Sequence, residues 1–415
     1  MKTRRKLVLS LVTGAVLGPT LTAPLWAQAR APRIDKVLWG GLGYSSKHSA
    51  VEANFPNLIK AISSLGYPKL VSAFTQQLGK SYPAGLVDDP LKMIDANSDP
   101  SLLFTVSLDY EQMILVPNEG GTTEFQLSFI YALAQVLYFD LPRPGQSDGE
   151  IRILYSFPFR VQSGETPKIN QPAEQIANFR KLLFESDNSL VNVFARKVST
   201  KHFREAGSPK KLKVRSASLT PEAAALINSL GIGQALSADF FGQAFTASVA
   251  EHGELSMLPY TQNNTLGSLA NRFNKFPNIS KVFERFASVD ENDYVIDLSV
   301  HRALRQSNGG NIANVLYARG MSVFVTVTDI LRNQVVFNKK IILIENNELP
   351  KSMFVRLQDY DLRYMVQIAI KLFDTFVIGV MKDDPVALKA VGLDPAKDAA
   401  EVAALKELWL KCRYV

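Results

Sequence analysis

Asp109 and Glu111 come nearest, by type and spacing, to a reactive pair. They stand two apart in the apolar run Leu102 to Val116. Alternate residues of a strand share a face, so both carboxyls would look the same way. Paired carboxyls can serve as acid and base in glycoside hydrolysis. Asp297, in a second strand-like run from Asp293 to Leu304, is a third acid of this kind. Two acids on a solvent-facing strand are equally ordinary surface residues.

Other chemistries find less support. The chain has no Gly-x-Ser-x-Gly nucleophile elbow and no Gly-x-x-x-x-Gly-Lys-Ser/Thr phosphate loop. Gly40-Gly41-Leu42-Gly43 follows a strand and precedes a helix, with Ser45, Ser46 and Lys47 beside it. Backbone amides there can hold an anion, but the dinucleotide fingerprint is incomplete and a plain turn explains the glycines. His48, His202, His252 and His301 form no His-x-x-x-His pair. No metal and no cofactor is therefore expected. Trp39 and Trp409 are the tryptophans outside the N-terminal segment, too few to suggest a sugar cleft.

The elements that would position these residues follow from pattern. Val37 to Tyr44 reads as a strand entering the glycine turn. Helices are expected from Ser49 to about Leu65 and over Leu70 to Leu78. Leu102 to Val116, Phe125 to Leu141 and Ile151 to Val161 read as an antiparallel meander. The middle strand is apolar on both faces, the pattern of a strand covered on both sides. Helix then runs from Pro172 to about Phe203. Thr220 caps a helix beginning at Pro221, and Ala235 to Ala250 is another, ended by His252-Gly253. Leu255 to Pro259 is a short strand, and Leu266 to Phe286 is helical with a break at Pro277. A second set of strands spans Asp293 to Leu304, Val315 to Leu331 and Val335 to Ile344, with Asn308-Gly309-Gly310 as a turn. Met365 to Met381 is long and apolar, but Gln367, Lys371 and Asp374 favour a buried helix over a membrane span. A last helix covers about Pro395 to Leu410.

Arg196 to Arg215 is strongly basic around Gly207-Ser208-Pro209. A charged run with Gly, Ser and Pro between apolar regions suggests a domain boundary. Lys210, Lys211, Lys213 and Arg215 are the candidate contacts there for an acidic partner or anionic lipid headgroups. The fold class expected is α+β: two related units, each a mainly antiparallel sheet with packed helices, plus a C-terminal helix. The expected divisions are a signal peptide at 1–29, units at 30–203 and 218–390, a basic linker at 204–217, and a final helix at 391–415. Both β-rich parts share an order of elements, including Gly-Gly pairs at 120–121 and 309–310, which suggests internal duplication.

Residues Phe240 to Gly253 as a helix, Leu255 to Pro259 as a strand and the paired strands around Thr328-Asp329-Ile330 and Val335-Val336 resemble a known type of unit. It is similar to the periplasmic α+β domain of the curli-secretion protein CsgG and to the N-terminal domain of TolB. The resemblance covers about a quarter of the chain. It implies an envelope assembly or adaptor module. The acylated cysteine of the one and the propeller of the other are absent from this sequence, so pore formation and colicin-type interactions do not carry over.

Location is the clearest expectation. Lys2 to Lys6 form a positive segment, Leu7 to Ala23 are almost all apolar or small, and Ala27-Gln28-Ala29 is a small-x-small site. That order is a secretory signal peptide, cleaved after Ala29, which places the protein in the periplasm. Gly14, Gly18, Pro19 and Pro24 argue against a membrane anchor. Arg4-Arg5 raises twin-arginine export, but Lys6-Leu7-Val8 fits it poorly. With no cysteine near residue 30 the chain is not a lipoprotein. Removing Lys2, Arg4, Arg5 and Lys6 takes the formal net charge from +7 to +3, too mild to imply nucleic acid. Cys412, the single cysteine, is either a small residue beyond the last helix or half of an intermolecular disulfide. The reading is a periplasmic, non-catalytic binding or assembly factor with other envelope proteins as partners. An exported hydrolase or a small-ligand receptor are the alternatives.

Overall fold

The computed structural model describes residues 37–44, 51–81, 86–87, 101–117, 123–140, 150–163, 166–169, 172–199, 210–233, 236–258, 260, 293–351 and 357–413. It is an α+β protein with two mainly antiparallel sheets.

The first half opens with β1 (Val37–Tyr44). Helices α1 (Val51–Asn54), α2 (Pro56–Leu65) and α3 (Tyr67–Ser81) follow, then the short β2 (Leu86–Val87). Three long strands come next: β3 (Ser101–Pro117), β4 (Thr123–Asp140) and β5 (Glu150–Gln162). The short β6 (Thr166–Ile169) and helices α4 (Pro172–Arg180) and α5 (Leu190–Ser199) complete it, with a π-helical stretch Lys181–Glu185 between the helices. The second half repeats the plan. It has β7 (Leu212–Leu219), α6 (Pro221–Ser229), α7 (Ala238–Gly253), the short β8 (Met257–Leu258) and long strands β9 (Tyr294–Gly310), β10 (Asn314–Asp329) and β11 (Gln334–Pro350). Helices α8 (Leu357–Lys382), α9 (Pro385–Ala390) and α10 (Ala399–Lys411) end it.

The strand orders correspond: β2-β1-β3-β4-β5 in one sheet, β8-β7-β9-β10-β11 in the other. In each, the first strand runs parallel to its two neighbours and the long strands form a meander. Val37 faces Leu86 and Leu102, as Leu212 faces Met257 and Tyr294. The register irregularities correspond as well. The first strand slips between Trp39 and Gly41, and between Val214 and Ser216. The third bulges at Asp109 in one sheet and at His301 in the other. The last pairing slips after Val136 and after Val327. Bulges set twist and bend, so the two sheets curve by the same devices.

Pattern explains the layering. On β4, Ile130, Ala132, Ala134 and Val136 pack against α2, α3, α4 and α5. On its opposite face, Phe129 and Tyr131 enter the core shared with α7 and α8. The strand is buried on both sides, as its two-faced apolarity predicts. Helix α7 is buried almost all round, from Phe240 to Ala250, because it lies between the sheets. On β10, Val323, Val325 and Val327 face this core while Phe324 is half exposed, so the far face of the second sheet meets solvent. Helices lie on one face of each sheet, and those of the second half also cover the open face of the first. Helix α8 is long and apolar enough to cross a membrane by length and composition, yet it is a core helix here.

Several expectations change. Gly40 to Gly43 is not a turn: all four residues lie within β1. A Cβ on Gly40 would come within 2.8 Å of Thr105 and 2.9 Å of Leu103, so the glycine admits the close approach of β3 at the bulge. Residues 212–217 of the expected basic linker 204–217 instead belong to an interior strand, Leu212–Leu219, with Leu212 and Val214 fully buried, and residues 204–209 lie outside the described residues. Asn308-Gly309-Gly310 ends β9 instead of forming the turn, which falls at 311–313. The expected helix at Leu266 to Phe286 lies outside the described residues. Thr220 caps α6 as expected, its hydroxyl accepting from the Ala223 amide at 3.2 Å.

Cys412 is fully buried at the end of α10, its thiol directed to the Leu408 carbonyl at 3.7 Å. Burial pushes the thiol far above its ordinary value. An intermolecular disulfide does not fit this position. Native protein should therefore resist maleimide labelling, while one equivalent reacts in denaturant. Rapid native labelling would contradict the packing.

Candidate functional site

The structure does not bring the expected acids together. Glu111 is buried and turned toward α2, where its carboxylate accepts from the Asn57 amide at 2.9 Å, the Asn57 side chain at 2.9 Å and the Leu58 amide at 2.7 Å. It caps a helix start that Phe55 cannot cap itself. Burial raises its proton affinity, and those hydrogen bonds oppose the rise. Glu111→Gln places an amide NH2 among these donors and should cost about 1–3 kcal/mol, read from the urea midpoint. The period-two argument fails at Asp109, because that residue is the bulge: Leu108 pairs with Ala132 and Tyr110 with Tyr131. Asp297 lies in the other sheet, held by Arg215 at 3.0 Å and by the Ser216 hydroxyl at 2.6 Å.

The basic candidates are partly engaged by the protein itself. Lys210 pairs with Asp293 at 2.8 Å, and the Lys211 amide donates to the same carboxylate at 2.7 Å. Arg215 pairs with Asp297. Lys213 stands on β7 between the buried Leu212 and Val214 and is itself half-buried. Exposed pairs of this type contribute at most about 1 kcal/mol. His301 packs edge-on against Phe324 with ring centroids 5.3 Å apart. No group of three or more metal-binding side chains converges among the described residues.

Two clusters that the sequence reading did not identify stand out. The first joins the halves. Asp374 on α8 accepts from Arg160 of β5 at 3.2 Å and from the Ser248 hydroxyl of α7 at 2.5 Å, and lies 3.3 Å from His252 Nε2. Burial works against the charge of Asp374, but His252, Arg160 and Ser248 together hold its carboxyl below the usual aspartate range. Ser248, His252 and Asp374 are the residue types of a hydrolytic triad. Their arrangement is different: the serine donates to the carboxylate itself, so no serine–histidine relay forms. Tyr131, the cross-strand partner of Arg160, has its phenol pushed up to about 12 by burial.

The second cluster lies between α8 and the second sheet. Arg319 on β10 is fully buried. It stands between Arg305 on β9 and Glu345 on β11. Asp361 of α8, also fully buried, accepts from Arg319 Nε at 2.8 Å and from Arg305 Nη1 at 2.7 Å. The rings of Tyr317 and Tyr364 each lie with centroids 4.9 Å from the Arg319 guanidinium carbon. Flat guanidinium against aromatic faces is a favourable contact. Yet Nη1 and Nη2 of Arg319 are enclosed and meet no acceptor among the described residues. The signal was available in the sequence. Tyr317, Arg319, Met321, Val323, Val325 and Val327 alternate on one strand, which places Arg319 on the apolar face and demands a partner for it. A third group of enclosed side chains, without hydrogen-bond partners among the described residues, is the row Thr105, Gln135 and Ser156 across β3, β4 and β5. The row carries no charge.

No family model matches the chain, and no curated protein matches it. Solved structures that resemble it include a hypothetical protein from Chlamydia trachomatis, with 14% identity over 41% of this chain and 95% of that one at a TM-score of 0.22. Lipoprotein GNA1162 from Neisseria meningitidis shares 14% identity, covering 38% of this chain and 99% of its own at a TM-score of 0.20. A protein from Xanthomonas campestris assigned to DUF330 shares 12%, covering 42% and 87% at 0.18. At those scores the likeness bears on neither mechanism nor partner, and the resemblance to the CsgG and TolB domains is not confirmed.

Proposed function

We propose that the protein is an exported, non-catalytic binding or assembly factor serving a complex of the bacterial envelope. One observation favours binding over catalysis. The strand acids are tied into structural roles on separate sheets, whereas the Arg319 centre gathers charge, aromatic surface and unused donors. The export reading rests on the sequence of residues 1–29. The matching strand orders and bulges support the reading of two duplicated units, each a layer of helices on a sheet. The partners are other envelope proteins, and neither nucleic acid nor a cofactor enters the reading. A hydrolase would need acids converging in a cleft, and the placement of Glu111 and Asp297 does not favour it.

Fractionation of cells producing the C-terminally tagged chain, followed by intact mass, tests the export premise. The expected product is periplasmic and begins at Arg30. A cytoplasmic product that keeps residues 1–29 would remove the premise.

A further inference from the structure

We infer that the enclosed Arg319 centre binds an oxyanion, a carboxylate or phosphate group. The inference rests on the binding reading above and names the ligand class of that site. A guanidinium presents five N–H donors in a fixed fork. Asp361 takes the Nε donor of Arg319, and the four N–H donors on its two terminal nitrogens meet no acceptor among the described residues. Enclosed donors left without acceptors are costly, so their retention asks for something that fills them. Water would accept these bonds, but the charge balance selects an anion. Arg319 and Arg305 face the single carboxylate of Asp361, leaving one positive charge in excess. Glu345, the acid beside Arg319 on β11, is engaged by Lys371. Two guanidinium forks on neighbouring strands suit the geometry of a carboxylate or phosphate.

The centre also has a solvent-facing edge and a second enclosed polar atom in the neighbouring row. The Arg305 side chain is 31% exposed while that of Arg319 is 0% exposed, so Arg305 is the solvent-facing edge of the centre. One row further along the sheet, opposite Tyr317, the Asn347 side-chain oxygen is enclosed with no donor among the described residues. A protonated oxygen on the bound group would satisfy it.

Thermal unfolding of the mature chain in chloride, acetate and phosphate salts at equal ionic strength tests the inference. The midpoint should rise saturably with acetate or phosphate and not with chloride. Arg305→Gln should raise the half-saturating concentration about tenfold, through loss of one charge-assisted contact. That variant keeps the Arg319–Asp361 pair. A second variant, Arg319→Met with Asp361→Leu, replaces the buried pair by apolar side chains, a change that commonly preserves folding. It should abolish the response. Equal responses to all three salts, or undiminished responses in both variants, would overturn the inference. The acetate and phosphate arms separate the two groups. A missing anion response with correct export overturns only the ligand assignment. A cytoplasmic protein that still responds overturns only the envelope reading.

Discussion

Asp361→Ala is expected to lower stability by about 3–5 kcal/mol, read as a fall in the urea midpoint at unchanged slope. The reason is asymmetry. The wild-type centre sets one fully buried carboxylate between Arg319 and Arg305. Removing the carboxylate leaves the Arg319 guanidinium buried and charged, held among the described residues only by the rings of Tyr317 and Tyr364. An uncompensated buried charge costs far more than the pair contributed. Replacing Asp361 and Arg319 together by Leu and Met should recover most of the loss, because the penalty lies in the stranded charge. If the single variant costs under about 1 kcal/mol, the guanidinium has another partner or reaches water.

The second large effect is at the junction of the halves. Asp374→Ala should cost about 2–4 kcal/mol, since it strands Arg160, whose side chain is 9% exposed, and removes the acceptor of Ser248. The pH dependence has a definite sign. Asp374 is held below its unfolded value, so its contribution is complete above the unfolded aspartate range near pH 4 and is lost as pH falls through the lower folded value. The stability gap between wild type and Asp374→Asn should accordingly be constant near neutrality and shrink below about pH 4. A gap that grows on acidification would contradict the assignment.

How much was legible in the sequence depended on whether the signal was local. The burial of β4 on both faces, the cap at Thr220 and the two meanders follow from periodicity and turn residues. The glycines of β1 misled because a bulge and a turn use the same residue, and only the approach of Thr105 and Leu103 distinguishes them. Leu212 to Leu219 was hidden by its charges: Lys213 and Arg215 alternate with buried Leu212 and Val214, and the density of cations outweighed the alternation. The clusters at Arg319 and Asp374 join residues 42 to 214 positions apart. No spacing rule reaches so far, although a lone charge on an apolar face marks where to look. Strand carboxylates suggested catalysis because type and spacing survive in sequence, while the amides that capture Glu111 do not.

The proposed role of this protein is binding within the envelope. Crosslinking in living cells, then affinity purification of the C-terminally tagged chain from fractionated envelope, tests it most directly. Stoichiometric recovery of the same envelope proteins in repeated preparations is the expected result. A monomer free in the periplasm, with no partner recovered, would contradict it.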